Sequence, residues 1–259
     1  ILIFIICWLI LIYSLVTMRQ NRVWAEPLKF YERLLRYSPK SSKVCYNLGT
    51  IYQQKGDYQK AIAFYNKSFD INPSELVLNN LGIIYVDINQ LQKAEGLFDE
   101  VLRVNTVNAN AYSNLGIIYG RKGEYQKAID FLIKARNIKP RDTKILNNLG
   151  LVYLEMGDLS KAIDELRLAI NIDPDNAEAH LNLGNALVES GFLSDALIQY
   201  KEAMTINPDF DKPHFNLGVI YYRKGLTDMA EREWQKTLEI NPQHQGARNN
   251  LDKLDYKDK

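Results

Sequence analysis

A column of asparagine side chains is the feature of this sequence whose type and spacing best suit chemistry, and that chemistry is recognition. Seven residues form it at intervals of 33 or 34 positions: Asn47, Asn80, Asn114, Asn148, Asn182, Asn216 and Asn250. Each side-chain amide offers two N–H donor hydrogens and one C=O acceptor. An extended peptide presents one backbone N–H and one C=O per residue. The column therefore predicts a ladder that binds peptide backbone; the alternative interpretation is a polar face that the repeat merely tolerates.

The elements that must position this column follow from a second periodic residue. Glycine stands two positions after each of the first six asparagines, at Gly49, Gly82, Gly116, Gly150, Gly184 and Gly218. Leu always precedes it, Ala always follows twelve positions later, and a large apolar residue follows sixteen positions later. A fixed period of this length indicates a solenoid of stacked units. Apolar residues four apart predict two antiparallel helices per unit, with Gly and Ala where the helices approach closely.

Helix ends are marked as well. Seven positions after the repeat glycine stand Gly56, Asn89, Gly123, Gly157, Gly191 and Gly225. Glycine, with asparagine as its substitute, favours the left-handed conformation that ends a helix. Pro follows the repeat glycine by 24 positions in every repeat except the second, which has Thr106. We therefore expect the first helix to end at the Gly or Asn and the second helix before the Pro.

These residues resemble the tetratricopeptide repeat (TPR) family over about residues 27–259. The resemblance implies an all-α, right-handed α-solenoid with six repeats in residues 42–244 and a capping helix and tail in 245–259. It implies that the first helices line a concave groove. A similar Asn ladder holds peptide backbone in the TPR superhelix of O-linked N-acetylglucosamine transferases. Residues 19–41 are expected to form a basic juxtamembrane segment and a capping half-repeat, whose helix spans Trp24–Pro39.

The N-terminal segment Ile1–Met18 carries no charged residue. As a helix it would span about 27 Å, close to the thickness of a bilayer core, so we predict one transmembrane helix ahead of the solenoid. The segment starts inside the apolar run, so we expect that helix to begin upstream. A signal peptide is the alternative, but the basic start and small-residue cleavage site are missing. Basic residues after Met18 favour a cytoplasmic solenoid by the positive-inside rule.

The junction carries a second, narrower resemblance. Residues 17–50 contain Arg19, Asn21, Arg22 and Trp24, then Phe30-Tyr31, Ser38-Pro39 and the first Asn-Leu-Gly. This order is similar to the join between the last membrane helix and the TPR tail of membrane O-mannosyltransferases. It implies that the chain is the C-terminal part of a multispan glycosyltransferase, with the repeats outside the cytoplasm. The side of the membrane therefore stays open at this point.

Sequence patterns for catalysis and cofactor binding are missing. No HExxH, P-loop, GxGxxG or GxSxG pattern occurs, so we predict no enzyme activity and no cofactor for this chain. His180 and His214 occupy equivalent places in neighbouring repeats, but no third ligand recurs with them; we expect packing residues and no metal. The net charge of +1 argues against nucleic acid as a partner.

The residues beside the column define the partner further. Five positions after the repeat glycine the charge is mixed: Gln54, Asp87, Arg121, Glu155, Glu189 and Arg223. No basic residue stands three positions before the repeat glycine, which excludes the carboxylate clamp of TPR domains that bind chaperone tails: Tyr46, Asn79, Ser113, Asn147, Leu181 and Phe215. We predict a membrane-anchored scaffold that binds protein or extended peptide in its groove. The alternative is the substrate- or partner-binding tail of a glycosyltransferase.

Overall fold

The structure, a computed structural model, describes residues 26–255. These residues contain fourteen α-helices and no strand. The predicted transmembrane helix Ile1–Met18, residues 19–25 of the 19–41 segment and the last four residues lie outside the described range. Among the described helices, none combines the length and the apolar character needed to cross a bilayer.

The helices fall into two compact units that meet between Val107 and Asn108. The described part of the first unit contains five: α1 (Pro27–Tyr37), α2 (Ser42–Gln54), α3 (Tyr58–Ile71), α4 (Glu75–Asp87) and α5 (Leu91–Val104). The second contains nine: α6 (Ala109–Arg121), α7 (Tyr125–Ile138), α8 (Thr143–Met156), α9 (Leu159–Ile172), α10 (Ala177–Glu189), α11 (Leu193–Ile206), α12 (Asp211–Arg223), α13 (Thr227–Ile240) and α14 (Gln245–Asp255). Six of the resulting pairs, α2–α3 through α12–α13, are helical hairpins, numbered below as repeats 1 to 6.

The two helices of each hairpin meet where the repeat glycine faces the second helix, a contact called the seam below. The seam is built as the sequence predicts. A Cβ placed on Gly150 would lie 2.5 Å from Cγ of Leu166, and one placed on Gly82 would lie 2.5 Å from Cζ of Phe98. In every repeat the residue that blocks this space is the large one sixteen positions further on. The first helix can therefore approach the second only because the repeat glycine has no side chain.

The predicted helix ends are confirmed. Gly157 has φ of 85° and Asn89 has φ of 58°, and the four other marker glycines also have positive φ. Asn89 is the only described residue other than glycine in this region, which asparagine tolerates better than most residues. Asp57 and Asp158 are the N-cap residues of α3 and α9. Each side chain accepts a hydrogen bond from the backbone N–H three residues on.

Both units bury an apolar core between first and second helices. In the first unit, Leu48, Tyr65 and Leu81 are central to that core. Helix α1 packs against it through the predicted stripe Tyr31, Leu34 and Leu35. The expected start of this helix at Trp24 lies outside the described residues. In the second unit, Ala247 and Leu254 of α14 pack with Ala230 and Trp234 of α13. Helix α14 thus covers the last hairpin, and its exposed side is polar.

Candidate peptide-binding site

The ladder asparagines connect neighbouring repeats through their side-chain N–H groups. In three cases the amide donates to the residue three positions before the glycine of the preceding repeat: Asn80 to Oη of Tyr46 (3.0 Å), Asn148 to Oγ of Ser113 (3.3 Å) and Asn182 to Oδ1 of Asn147 (2.9 Å). Part of the hydrogen-bonding capacity of the column therefore holds adjacent first helices in register.

Asn216 makes a different bond because the usual acceptor is missing. The residue three before Gly184 is Leu181, which offers no side-chain acceptor. The Asn216 amide instead donates to Oδ1 of Asn185, 2.8 Å away. The hydroxyl of Tyr200 donates to the same oxygen, also at 2.8 Å. Two donors therefore fix the Asn185 carbonyl toward the scaffold.

Tyr200 is the large residue of the repeat 5 seam. Its ring packs beneath Gly184 and is only 2% exposed, while its hydroxyl reaches Asn185 on the first helix. Burial raises the pKa of Tyr200 to about 12. The hydroxyl is therefore protonated at neutral pH and available as a donor, which keeps the Asn185 amide in one orientation.

This arrangement leaves one amide N–H group and one amide oxygen without a hydrogen-bond partner among the described residues. With Asn185 Oδ1 and the Asn216 N–H occupied, the Asn185 N–H donors and the Asn216 Oδ1 acceptor have no protein partner within residues 26–255. Both residues line a cleft of about 570 Å³ between α10 and α12, called the α10–α12 cleft below. Its lining is Leu154, Asn185, Val188, Glu189, Tyr200, Asn216, Val219, Ile220 and Arg223. The cleft thus combines an aliphatic floor, two amides and two opposite charges.

The first unit has a related polar network. The Tyr65 hydroxyl donates to Oε1 of Gln53 (2.8 Å) and accepts from the Asn80 amide (3.2 Å). Thr50 lies 3.1 Å from the same hydroxyl. Here the tyrosine hydroxyl is surrounded by scaffold groups. Asn47 lines a smaller cleft of about 290 Å³ in this unit.

The remaining ladder residues differ in burial. Asn182 is buried, whereas Asn47, Asn80, Asn114, Asn148, Asn216 and Asn250 are half-buried. Asn114 and Asn250 lie on α6 and α14, the first and last helices of the second unit. The predicted peptide-binding role of the seven residues stays a prediction; the geometry assigns a scaffold bond to the amide N–H of Asn80, Asn148, Asn182 and Asn216.

The two equivalent histidines bond to their own hairpins. His180 Nδ1 lies 2.8 Å from Oε1 of Gln199, and His214 Nδ1 lies 2.7 Å from Oε2 of Glu233. Gln199 and Glu233 occupy the same position on α11 and α13. Across residues 26–255, no group of three or more His, Cys, Asp or Glu side chains is placed to hold a metal ion.

Residues 16–213 match the family of the cilia and flagella-associated protein 70 C-terminal domain, a TPR domain. The chain belongs to this family. The TPR fold is an extended scaffold that binds proteins and peptides. The family match covers most of the described repeats, and the all-α TPR solenoid predicted from the sequence is confirmed.

Curated relatives are similar to part of the chain. The chain is 38% identical over 81 residues to the photosystem I assembly protein Ycf3 of Rippkaea orientalis, covering 30% of this chain and 47% of that protein. It spans less than half the length of the curated relatives it matches.

Solved structures share the fold. Cut9–Hcn1 of the APC/C has a TM-score of 0.77 at 18% identity, covering 90% of this chain and 45% of that chain. YrrB, a TPR protein with an unusual peptide-binding site, has a TM-score of 0.51 at 25% identity, covering 71% of this chain and 96% of that chain. The resemblance of residues 17–50 to membrane O-mannosyltransferases is not shown by these similarities and stays a prediction.

Sequence reasoning did not single out Asn185 or Tyr200. Asn185 stands one position after the repeat glycine, where the other first helices have Thr50, Ile83, Ile117, Leu151 and Val219. The sequence feature that indicates these two residues is an asparagine one position after the repeat glycine together with a tyrosine sixteen positions after it. That combination occurs only in repeat 5, since repeat 1, the other repeat with a seam tyrosine, has Thr50.

Proposed function

We propose that this chain is a TPR scaffold that binds an extended segment of a partner protein along its first helices, with the α10–α12 cleft as a principal contact. The observation that carries the proposal is the fixed pair of amides in that cleft. Asn185 presents N–H donors and Asn216 presents a C=O acceptor, and neither group has a partner within residues 26–255. One residue of an extended peptide offers the complementary pair, a backbone C=O and a backbone N–H.

The chemistry of the cleft supports a peptide over a small polar ligand. Leu154, Val188 and Val219 supply an aliphatic surface beside the two amides. Ligand sites in proteins combine such a surface with a few placed polar groups, and a volume of about 570 Å³ lies in their usual range. The similarity to YrrB, a protein with a peptide-binding site, supports the same class of ligand.

The binding role is tested by removing the two amides. The full chain is screened against an array of random twelve-residue peptides, and dissociation constants of the retained peptides are measured by fluorescence anisotropy. We expect the double variant Asn185→Val, Asn216→Ala to bind them about tenfold more weakly, because two hydrogen bonds of moderate strength are lost. Valine is the residue that repeat 6 carries at the position of Asn185.

The matched control is Asn171→Ala, which removes an exposed amide on the second helix α9 that belongs neither to the ladder nor to the lining of the cleft. Its affinity should stay within about twofold of the parent. Equal affinities of the parent and a folded double variant would contradict the proposal, as would an equal loss in the control.

The kind of partner is supported by the similarity to the photosystem I assembly protein Ycf3. We propose that the chain holds subunits of a protein complex during assembly rather than modifying them. A scaffold of this kind needs a peptide-binding surface and no catalytic group. The residues that line the α10–α12 cleft supply such a surface.

The apolar run Ile1–Met18 supports a membrane tether as a further part of the proposed function. Eighteen uncharged residues suffice to hold a soluble domain at a bilayer. We expect the full chain to float with phosphatidylcholine liposomes in a sucrose gradient, and a chain beginning at Glu26 to stay in the dense fraction. Flotation of both chains, or of neither, would contradict the proposal that Ile1–Met18 binds the bilayer.

A further inference from the structure

The α10–α12 cleft carries two charges that the scaffold does not use. Glu189 and Arg223 occupy the same position of neighbouring repeats, at the ends of α10 and α12. Both are exposed and line the cleft, and both lie near enough to the Tyr200 hydroxyl to act on its pKa in opposite directions. Their opposite signs lie on the two sides of one cleft. A ligand that crosses it therefore meets a carboxylate on one side and a guanidinium on the other.

Between the two charges the floor of the cleft is aliphatic. Val188 and Val219 stand half-buried on α10 and α12, and Leu154 reaches the cleft from α8. Side chains that are half-buried without a ligand lose further contact with water when an apolar group covers them. Burial of a leucine-sized side chain here is therefore favourable before the cost of association is counted.

The spacing of these groups fits an extended chain. Helices α10 and α12 stand on either side of the cleft rather than closely packed, and a separation of one helix diameter is on the order of 10–12 Å. An extended peptide advances about 3.3 Å per residue, and its side chains alternate between two faces. Residues i, i+2 and i+4 therefore lie on one face and span about 13 Å. Charged residues at i and i+4 can reach the two sides, while residue i+2 points to the floor.

We propose that the α10–α12 cleft selects an extended segment in which an apolar residue is flanked, two positions before and two positions after, by side chains of opposite charge. The acidic side chain pairs with Arg223 and the basic side chain with Glu189. This inference rests on the proposed function and adds the sequence that the cleft prefers. The two amides set the direction of the peptide, because Asn185 donates and Asn216 accepts.

The test uses the full chain and four fluorescent twelve-residue peptides with serine and glycine flanks. Their central motifs are Glu-Ala-Leu-Ala-Lys, Lys-Ala-Leu-Ala-Glu, and the two same-charge forms with Glu or Lys at both ends. We expect one of the two mixed-charge peptides to bind about tenfold more tightly than the other three, because only that order pairs both charges in the direction set by the amides.

The decisive variant exchanges the charges of the cleft. In Glu189→Lys, Arg223→Glu the net charge of the chain is unchanged, and the preferred order of the two mixed-charge peptides should invert. The matched control is Asp195→Lys, Lys224→Glu, which makes the same exchange at neighbouring exposed residues that do not line the cleft. The control should keep the parent's order. Circular dichroism checks that each variant retains its helix content.

The outcomes separate this inference from the proposed function. A parent that binds both mixed-charge orders equally, or an exchanged variant whose preference does not invert, overturns the charge rule. In that case peptide binding that still depends on Asn185 and Asn216 leaves the proposed function standing. If none of the four peptides binds while the random array retains others, the charge rule also fails. If no peptide binds in either experiment, both proposals fail.

Discussion

Replacing Gly150 with leucine is expected to lower the free energy of unfolding of the second unit by about 3 kcal/mol or more. The new Cβ alone would lie 2.5 Å from Cγ and 2.8 Å from Cδ2 of Leu166, a side chain with no exposed surface. The remaining leucine atoms would have to enter the same seam. Either α8 moves away from α9 or Leu166 leaves its position, and both changes break packing across the hairpin. Urea denaturation followed by circular dichroism measures the loss.

The control for this prediction is Gly96→Leu. Gly96 also lies inside a helix, but an added Cβ there meets no atom within 4 Å. Leucine has a higher helix propensity than glycine, so this variant should be as stable as the parent or more stable by up to about 1 kcal/mol. An unchanged denaturation midpoint for Gly150→Leu would show that the described seam is wrong.

Replacing Asn182 with alanine is expected to cost about 2 kcal/mol, within the range for leaving a buried polar atom without its partner. The Asn182 amide donates to Oδ1 of Asn147 at 2.9 Å, and both side chains are buried. The alanine variant removes the donor and leaves the Asn147 oxygen unsatisfied in an apolar setting. The loss is measured by urea denaturation of the full chain.

A double-mutant cycle distinguishes this hydrogen bond from simple loss of packing. The pair Asn147→Leu, Asn182→Leu removes donor and acceptor together with groups of similar shape, and should be less destabilised than the sum of its single variants. Leucine is what repeat 5 carries at the position of Asn147, namely Leu181. Additive effects of the two single changes would show that the two amides do not act as a pair.

The hairpins and their seams were predictable because each depends on residues within one repeat. Gly150 and Leu166 are sixteen positions apart on two helices joined by a short turn, so their contact follows once the period and the turn are recognised. Gly157 marks that turn by its conformation alone, with φ of 85°. The local spacing of residues along the chain is therefore sufficient to predict these features.

The use of the asparagines could not be predicted in the same way. Asn182 bonds to Asn147 across two repeats, and the choice of donor and acceptor depends on how the helices stack. A column of identical residues gives no indication that Asn216 will turn to Asn185 because Leu181 cannot accept a hydrogen bond. The sequence therefore predicted a polar column, while the structure shows which of its atoms the scaffold occupies.

The most direct test of peptide binding is a crystal structure of the full chain with the tightest peptide from the random array. We predict an extended peptide across α10 and α12, with one backbone C=O accepting from Nδ2 of Asn185 and a backbone N–H donating to Oδ1 of Asn216. A peptide bound only to second helices or hairpin turns, with the α10–α12 cleft unoccupied, would contradict this assignment. The same structure would show whether side chains of opposite charge reach Glu189 and Arg223.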